Sequence, residues 1–136
     1  MPNVDAVLVD THALLWWQAD GDRLSPTAAR RIERADVVYL SPITCWEIAM
    51  LVAKGRVELD RPMNVWINDL LATSPADIAD LTPTIAVAAG QLQDFHGDPA
   101  DRIIYATAAD RHLPLITKDA RLRHLATTGR KVTVIW

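Results

Sequence analysis

Four carboxylates, Asp10, Glu47, Asp101 and Asp119, stand where strand-like runs of this chain give way to helix-like sequence, and their types and places suit catalysis. Asp10 ends the apolar run of LVDTHALLWW, Asp119 follows the run LPLIT in TKDARL, Glu47 lies early in the segment opened by Ser41-Pro42, and Asp101 lies in GDPADR. Asp10 is the hardest of them to leave as a plain surface charge. A carboxylate between an apolar strand and Ala13, Leu14 and Leu15 is partly buried and needs a cation or hydrogen-bond donors to compensate it. Oxygen ligands without sulfur or imidazole favour a hard cation, Mg2+ or Mn2+. Such a cation activates water and neutralises charge on a phosphodiester, and two ions about 4 Å apart clamp the attacking and leaving oxygens. Phosphodiester hydrolysis is therefore the reaction class that these residues fit. Asp98 and Asp101 are also spaced as a helix-capping pair, so Asp98 competes with Asp101 for the role.

Those four segments are far apart in sequence, and something must bring them together. Apolar, β-branched runs at 4–9, 37–40, 113–117 and 132–136 read as buried parallel strands, with a short further one at 78–81. Ser25-Pro26, Ser41-Pro42, Thr82-Pro83 and Asp98-Pro99 read as helix starts, because proline suits the first helical position and the residue before it caps free N–H groups. Gly55 reads as a helix C-terminal glycine. Strands alternating with helices through right-handed crossovers give an α/β fold, a parallel sheet covered on both faces. In such sheets the strands' carboxyl ends share one edge, and ligands bind there at the point where strand order reverses. The four acids fall on that edge.

Composition narrows the alternatives. A chain of 136 residues, half of them apolar, can bury a core as one domain spanning 1–136. One cysteine, Cys45, excludes an internal disulfide and a thiol-based zinc site, and His12, His96, His112 and His124 show no ligand spacing. MPNVDAVLVD lacks the form of a secretory leader and no run approaches a membrane span, so the expectation is a soluble cytoplasmic protein. The net charge of −3 hides an asymmetry. Residues 1–100 hold seven Lys or Arg against fourteen Asp or Glu, whereas 101–136 hold seven against three. There is no glycine-rich dinucleotide loop, no phosphate-binding G-K-[ST], and no second Asp two residues after Asp10. That last absence counts against phosphatase-like chemistry.

Taken in order and spacing, LVDTHALLWW, SPITCWEIAMLVAKGRVEL, GDPADRIIYATA and LPLITKDARL resemble the PIN-domain ribonucleases, and most closely the VapC-type toxins of bacterial toxin-antitoxin pairs. The resemblance implies a five-stranded parallel sheet with helices on both faces. It implies that Asp10, Glu47, Asp101 and Asp119 form the quartet that holds Mg2+ or Mn2+, with the metal role on Asp101 rather than Asp98 because ADRIIYATA fits the family pattern from Asp101 onward. RNA as substrate, a cognate antitoxin and a homodimer follow as implied partners.

Around the quartet, the hydroxyls of Thr11, Ser41 and Thr117 stand near the same edge and are candidates to orient water or phosphate, with helix capping the expected role of Ser41. Lys118, Arg121 and Arg123 follow the strand that delivers Asp119 and are candidates to bind RNA phosphates. Trp16 and Trp17 are expected in the core or an interface rather than stacked on bases. A non-catalytic PIN-like module, a receiver-like domain with a phosphoacceptor Asp near Lys118, and a DNA-directed nuclease are the rival readings. The receiver reading wants paired acids near Asp10, and the run 37–41 ends without a phosphoacceptor.

Overall fold

A computed structural model describes residues 4–19, 22–93, 95, 98–129 and 131–136. Its elements run β1 (Ala6–Val9), α1 (Thr11–Gln18), α2 (Pro26–Arg34), β2 (Val37–Leu40), α3 (Pro42–Ala53), α4 (Met63–Thr73), β3 (Ala76–Ile78), α5 (Pro83–Gly90), α6 (Pro99–Arg111), β4 (Leu115–Ile116), α7 (Ala120–Gly129) and β5 (Val134–Ile135). All four strand pairings are parallel, in the order β3-β2-β1-β4-β5.

Alternation along the strands builds a core on each face of the sheet. Val7, Val9, Val38 and Leu40 pack with Leu14, Ile32, Ile48 and Leu70 of α1 to α4. Leu8 and Leu115 pack on the opposite side with Ile104, Tyr105 and Leu122 of α6 and α7. Consecutive residues Val7, Leu8 and Val9 are all fully buried, which is why β1 reads as an unbroken apolar run rather than an alternating one.

The four proline-marked helix starts are realised at α2, α3, α5 and α6, and in each the preceding Ser, Thr or Asp accepts a backbone N–H of the first turn. Gly55 closes α3 at φ +71°, with Arg56 N–H donating to the Leu51 carbonyl and Gly55 N–H to that of Val52. α6 ends instead on His112, held left-handed at φ 53°.

Four strand bounds differ from the sequence expectation: β1 begins at Ala6 rather than Val4, β5 spans only Val134 and Ile135 of the expected 132–136, and two others shift or shorten. The third strand lies at 76–78 rather than 78–81, because backbone pairing of Val38 and Leu40 with Ala76 and Ile78 ends where Ala79 N–H reaches the Leu40 carbonyl. The strand expected at 113–117 pairs fully only over Leu115 and Ile116. α4 had no expected start at all: Pro62 precedes it without a side-chain cap.

Candidate active site

β1 and β4 are neighbours in the sheet although their paired positions, Leu8 with Leu115 and Val9 with Ile116, are far apart in sequence, and the strand order reverses between them. Asp10 and Asp119 leave the carboxyl ends of this pair, so the crevice expected at a topological switch point opens above them. Asp10, Glu47, Asp98, Asp101 and Asp119 all line one pocket of about 470 Å³, joined by Thr11, His12, Trp16, Lys118 and Arg121.

Helix starts hold these acids in place. Asp10 Oδ1 accepts Ala13 N–H (2.8 Å) at the head of α1, Asp98 Oδ1 accepts Asp101 N–H (2.9 Å) at the head of α6, and Asp119 Oδ1 accepts the N–H groups of Arg121 (2.9 Å) and Leu122 (3.0 Å) at the head of α7. Three helix N-termini, each with partial positive charge, thus aim at a pocket whose side chains are negative. The two acids of GDPADR sit in different surroundings. Asp98 is the exposed cap, and Asp101, one turn further, is mostly covered, with 16% of its side chain exposed.

The electrostatics follow from this crowding. Burial, followed by the charges of Asp98, Asp119, Glu47 and Asp10, pushes Asp101 up to about 7. Arg121 stands 3.6 Å from its Oδ2 but is 59% exposed, so water screens much of the opposing pull. Asp10 is only 6% exposed, and burial raises its pKa against the lowering effects of the Thr117 hydroxyl and the Ala13 N–H.

Thr117 occupies a different role from the substrate contact expected of it. Its side chain is fully buried, its hydroxyl donates to Asp10 Oδ2, and its oxygen accepts Asp119 N–H at 3.0 Å. It positions two of the acids and meets no solvent. Thr117→Val, close in size, should cost about 1 to 3 kcal/mol in stability and about 10- to 100-fold in catalytic rate, because it strips the buried Asp10 carboxylate of a donor. Urea unfolding and a cleavage assay on the same preparation measure both; a variant as active as the parent would separate Thr117 from the site.

Thr11 is likewise buried, its hydroxyl donating to Thr44 (3.2 Å) and tying α1 to α3 at the pocket wall. Ser41 is buried and caps α3 through Ile43 N–H (3.2 Å). Lys118 and Arg121 are exposed at the pocket rim. Arg123 faces a separate hollow with Thr127 and Trp136, because a step of two residues, about 200° around α7, turns it away from the side that carries Arg121.

Three further residues shape the site: His12, which shows no ligand spacing in sequence, Trp16, expected in the core or an interface, and Arg102, for which the sequence carried no expectation. His12 and Trp16 line the pocket, their rings 5.7 Å apart, with Trp16 also 5.7 Å from the Trp136 ring. The signal was their spacing: residues two and six after a strand-end Asp that caps its own helix share the face turned toward the edge. Trp17 packs in the core as expected, whereas Trp16 is half in the pocket. Arg102 donates to the carbonyls of Ala89 (3.1 Å), Gly90 (3.3 Å), Leu92 (2.8 Å) and Phe95, clamping the end of α5 and so fixing the start of α6 beside it. His96 lies outside the described residues.

The donor set, oxygen throughout, suits Mg2+ or Mn2+, and the charge crowding that raises Asp101 is what a bound cation relieves. The acids face one pocket without closing into a ligand shell: among the described residues no three His, Cys, Asp or Glu side chains form a group tight enough to hold an ion.

Fold and site together define an α/β protein with an acidic pocket at the switch point of a parallel sheet. A family model described as the PIN domain matches residues 7–127, and the chain belongs to that family. It is 41% identical over 118 residues to ribonuclease VapC22 of Mycobacterium tuberculosis, covering 86% of this chain and 89% of that one. Among solved structures it is similar to a toxin-antitoxin complex from Klebsiella pneumoniae (TM-score 0.58, 26% identity, 85% and 88% of the two chains). The chain of VapBC2 from Rickettsia felis, crystallised with a promoter DNA fragment, shares the fold at TM-score 0.66, with 14% identity over 95% and 96%.

Proposed function

We propose that this protein is an endoribonuclease dependent on Mg2+ or Mn2+ and the toxin of a toxin-antitoxin pair, with Asp10, Glu47, Asp101 and Asp119 as its catalytic quartet. One observation carries the reading: carboxylates from four segments line a single pocket at the switch point, in a chain 41% identical to a ribonuclease. A cation bound there supplies charge neutralisation at the phosphodiester and a more acidic water. The chain's own residues do the rest. Asp10, fixed by Thr117 and Ala13, presents a carboxylate whose orientation is set before substrate arrives. Lys118 and Arg121 at the rim hold the phosphates on either side of the bond that breaks. Trp16 offers an aromatic face to an unpaired base beside the scissile phosphate.

The protein works in the cytoplasm as a single domain; among the described residues no helix is long and apolar enough to cross a membrane. Its partners are RNA, a cognate antitoxin and a second copy of itself. The likeness to the Klebsiella complex supports the antitoxin, and exposed Trp46 and Val65 on α3 and α4 support an interface.

Purified protein should cut single-stranded RNA with Mn2+ or Mg2+, stop with chelator, and leave DNA of the same sequence intact. Production without the antitoxin should arrest growth. Arrest that persists with both Asp10 and Asp101 replaced by Asn would remove RNA cleavage as its cause.

A further inference from the structure

Among the described residues, Arg121 is the one cation that the chain itself sends between two members of the acidic quartet. Its Nη2 lies 3.6 Å from Asp101 Oδ2 and 3.5 Å from Asp119 Oδ2, bridging acids delivered by different helices. Its backbone is anchored, because its N–H donates to Asp119 Oδ1 (2.9 Å) in the first turn of α7. Its side chain is not, being 59% exposed and held by no other hydrogen bond or ion pair among the described residues. A long side chain on a fixed pivot, making two stretched contacts in partly open solvent, moves at little cost.

Two cations cannot occupy one carboxylate pair. The oxygens that Arg121 bridges are those that the quartet would turn toward a metal ion, and a guanidinium a few ångström from a divalent ion is repelled. When displaced, it still belongs to the pocket wall, where the incoming chemical group of opposite charge is an RNA phosphate. A planar fork suits phosphate and carboxylate alike.

We propose that Arg121 is an exchangeable internal counter-ion: it bridges Asp101 and Asp119 while the site holds no metal, and moves to the substrate phosphate when metal takes the carboxylates. The proposal rests on the quartet being the metal site. It assigns one side chain two effects of opposite sign, hindering metal entry and assisting cleavage.

Titration of the full chain with Mn2+ by calorimetry, beside RNA cleavage at saturating Mn2+, tests it on four proteins: the parent, Arg121→Gln, Arg121→Lys and Asp10→Asn. Arg121→Gln, which removes the charge from an exposed position, should bind Mn2+ about three- to tenfold more tightly and cleave at least about tenfold more slowly. Arg121→Lys keeps the charge without the fork, so Mn2+ affinity should return near the parent's and cleavage should recover in part. Asp10→Asn should lose Mn2+ binding. If Asp10→Asn binds Mn2+ like the parent, the quartet is not the metal site and the basis of the proposal fails. If Asp10→Asn loses binding while Arg121→Gln binds Mn2+ no more tightly than the parent, the quartet stands and the counter-ion role of Arg121 is overturned. An Arg121→Gln protein that binds more tightly yet cleaves as fast as the parent overturns the move to phosphate.

Discussion

Asp10→Asn protein should cleave RNA on the order of a thousandfold more slowly than the parent while keeping its fold. The substitution leaves an oxygen at the position that caps Ala13 N–H, so the head of α1 survives. What it removes is the negative charge at the most buried member of the quartet, the one whose two oxygens are already fixed by neighbours. Cleavage of a labelled single-stranded RNA with Mn2+, followed beside far-ultraviolet circular dichroism, measures rate and fold together. Equal rates from parent and variant, each purified free of contaminating nuclease, would sink the quartet as the active centre.

Asp101→Asn should do the reverse of an ordinary damaging mutation, stabilising the metal-free protein while abolishing its activity. In the folded protein Asp101 is raised to about 7 by burial and by four neighbouring acids, whereas in the unfolded chain it sits near 3.8. Between those two values the folded state holds a proton that the unfolded state has lost, so stability falls as pH rises from about 4 and the penalty is complete above about 7. Acidification from pH 8 to pH 5.5 should thus raise the melting temperature of the metal-free parent. Discounted for a side chain in contact with solvent, the penalty is about 2 kcal/mol, or several degrees in Tm. Asp101→Asn should start at pH 8 with most of that gain and lose the slope. Metal should substitute for protons, adding about 2.7 kcal/mol at a hundredfold excess over its dissociation constant. Calorimetric melts of both proteins with chelator and with Mg2+, across that pH range, test the idea. A variant that melts below the parent at pH 8 would show that the charge of Asp101 is not under strain.

The strands and the capped helices were legible in sequence because their signals are local. A Ser-Pro or Asp-Pro junction carries its own cap, and VLV or PLIT carries its own burial. The same logic explains α4, which lacks a side-chain cap and becomes a helix by packing Leu70 into the core. The convergence of the four acids on one pocket was legible because topology alone places strand ends and helix heads together. Side-chain detail was not. Thr117 and Asp119 are two residues apart, yet one faces the interior and the other the pocket, a difference set by pairing with Asp10 far away in sequence. The separation of Arg121 from Arg123 arises from the rotation of α7, which depends on Leu122 and Ala126 packing inward.

The pairing of β1 with β4, sealed by the bond between Thr117 and Asp10 at a sequence separation of 107, sets a clock on the protein's birth. At ribosomal speeds of about 5 to 20 residues per second, roughly 5 to 20 s pass between synthesis of the first acid and of its last neighbour. Throughout that interval the emerging chain carries Asp10 and Glu47 but no closed crevice, because the strand that completes it has not been made. A polypeptide of this design cannot attack the message that encodes it while most of that message is still being read. Its reactivity arrives late, once the strand that closes the crevice has been made.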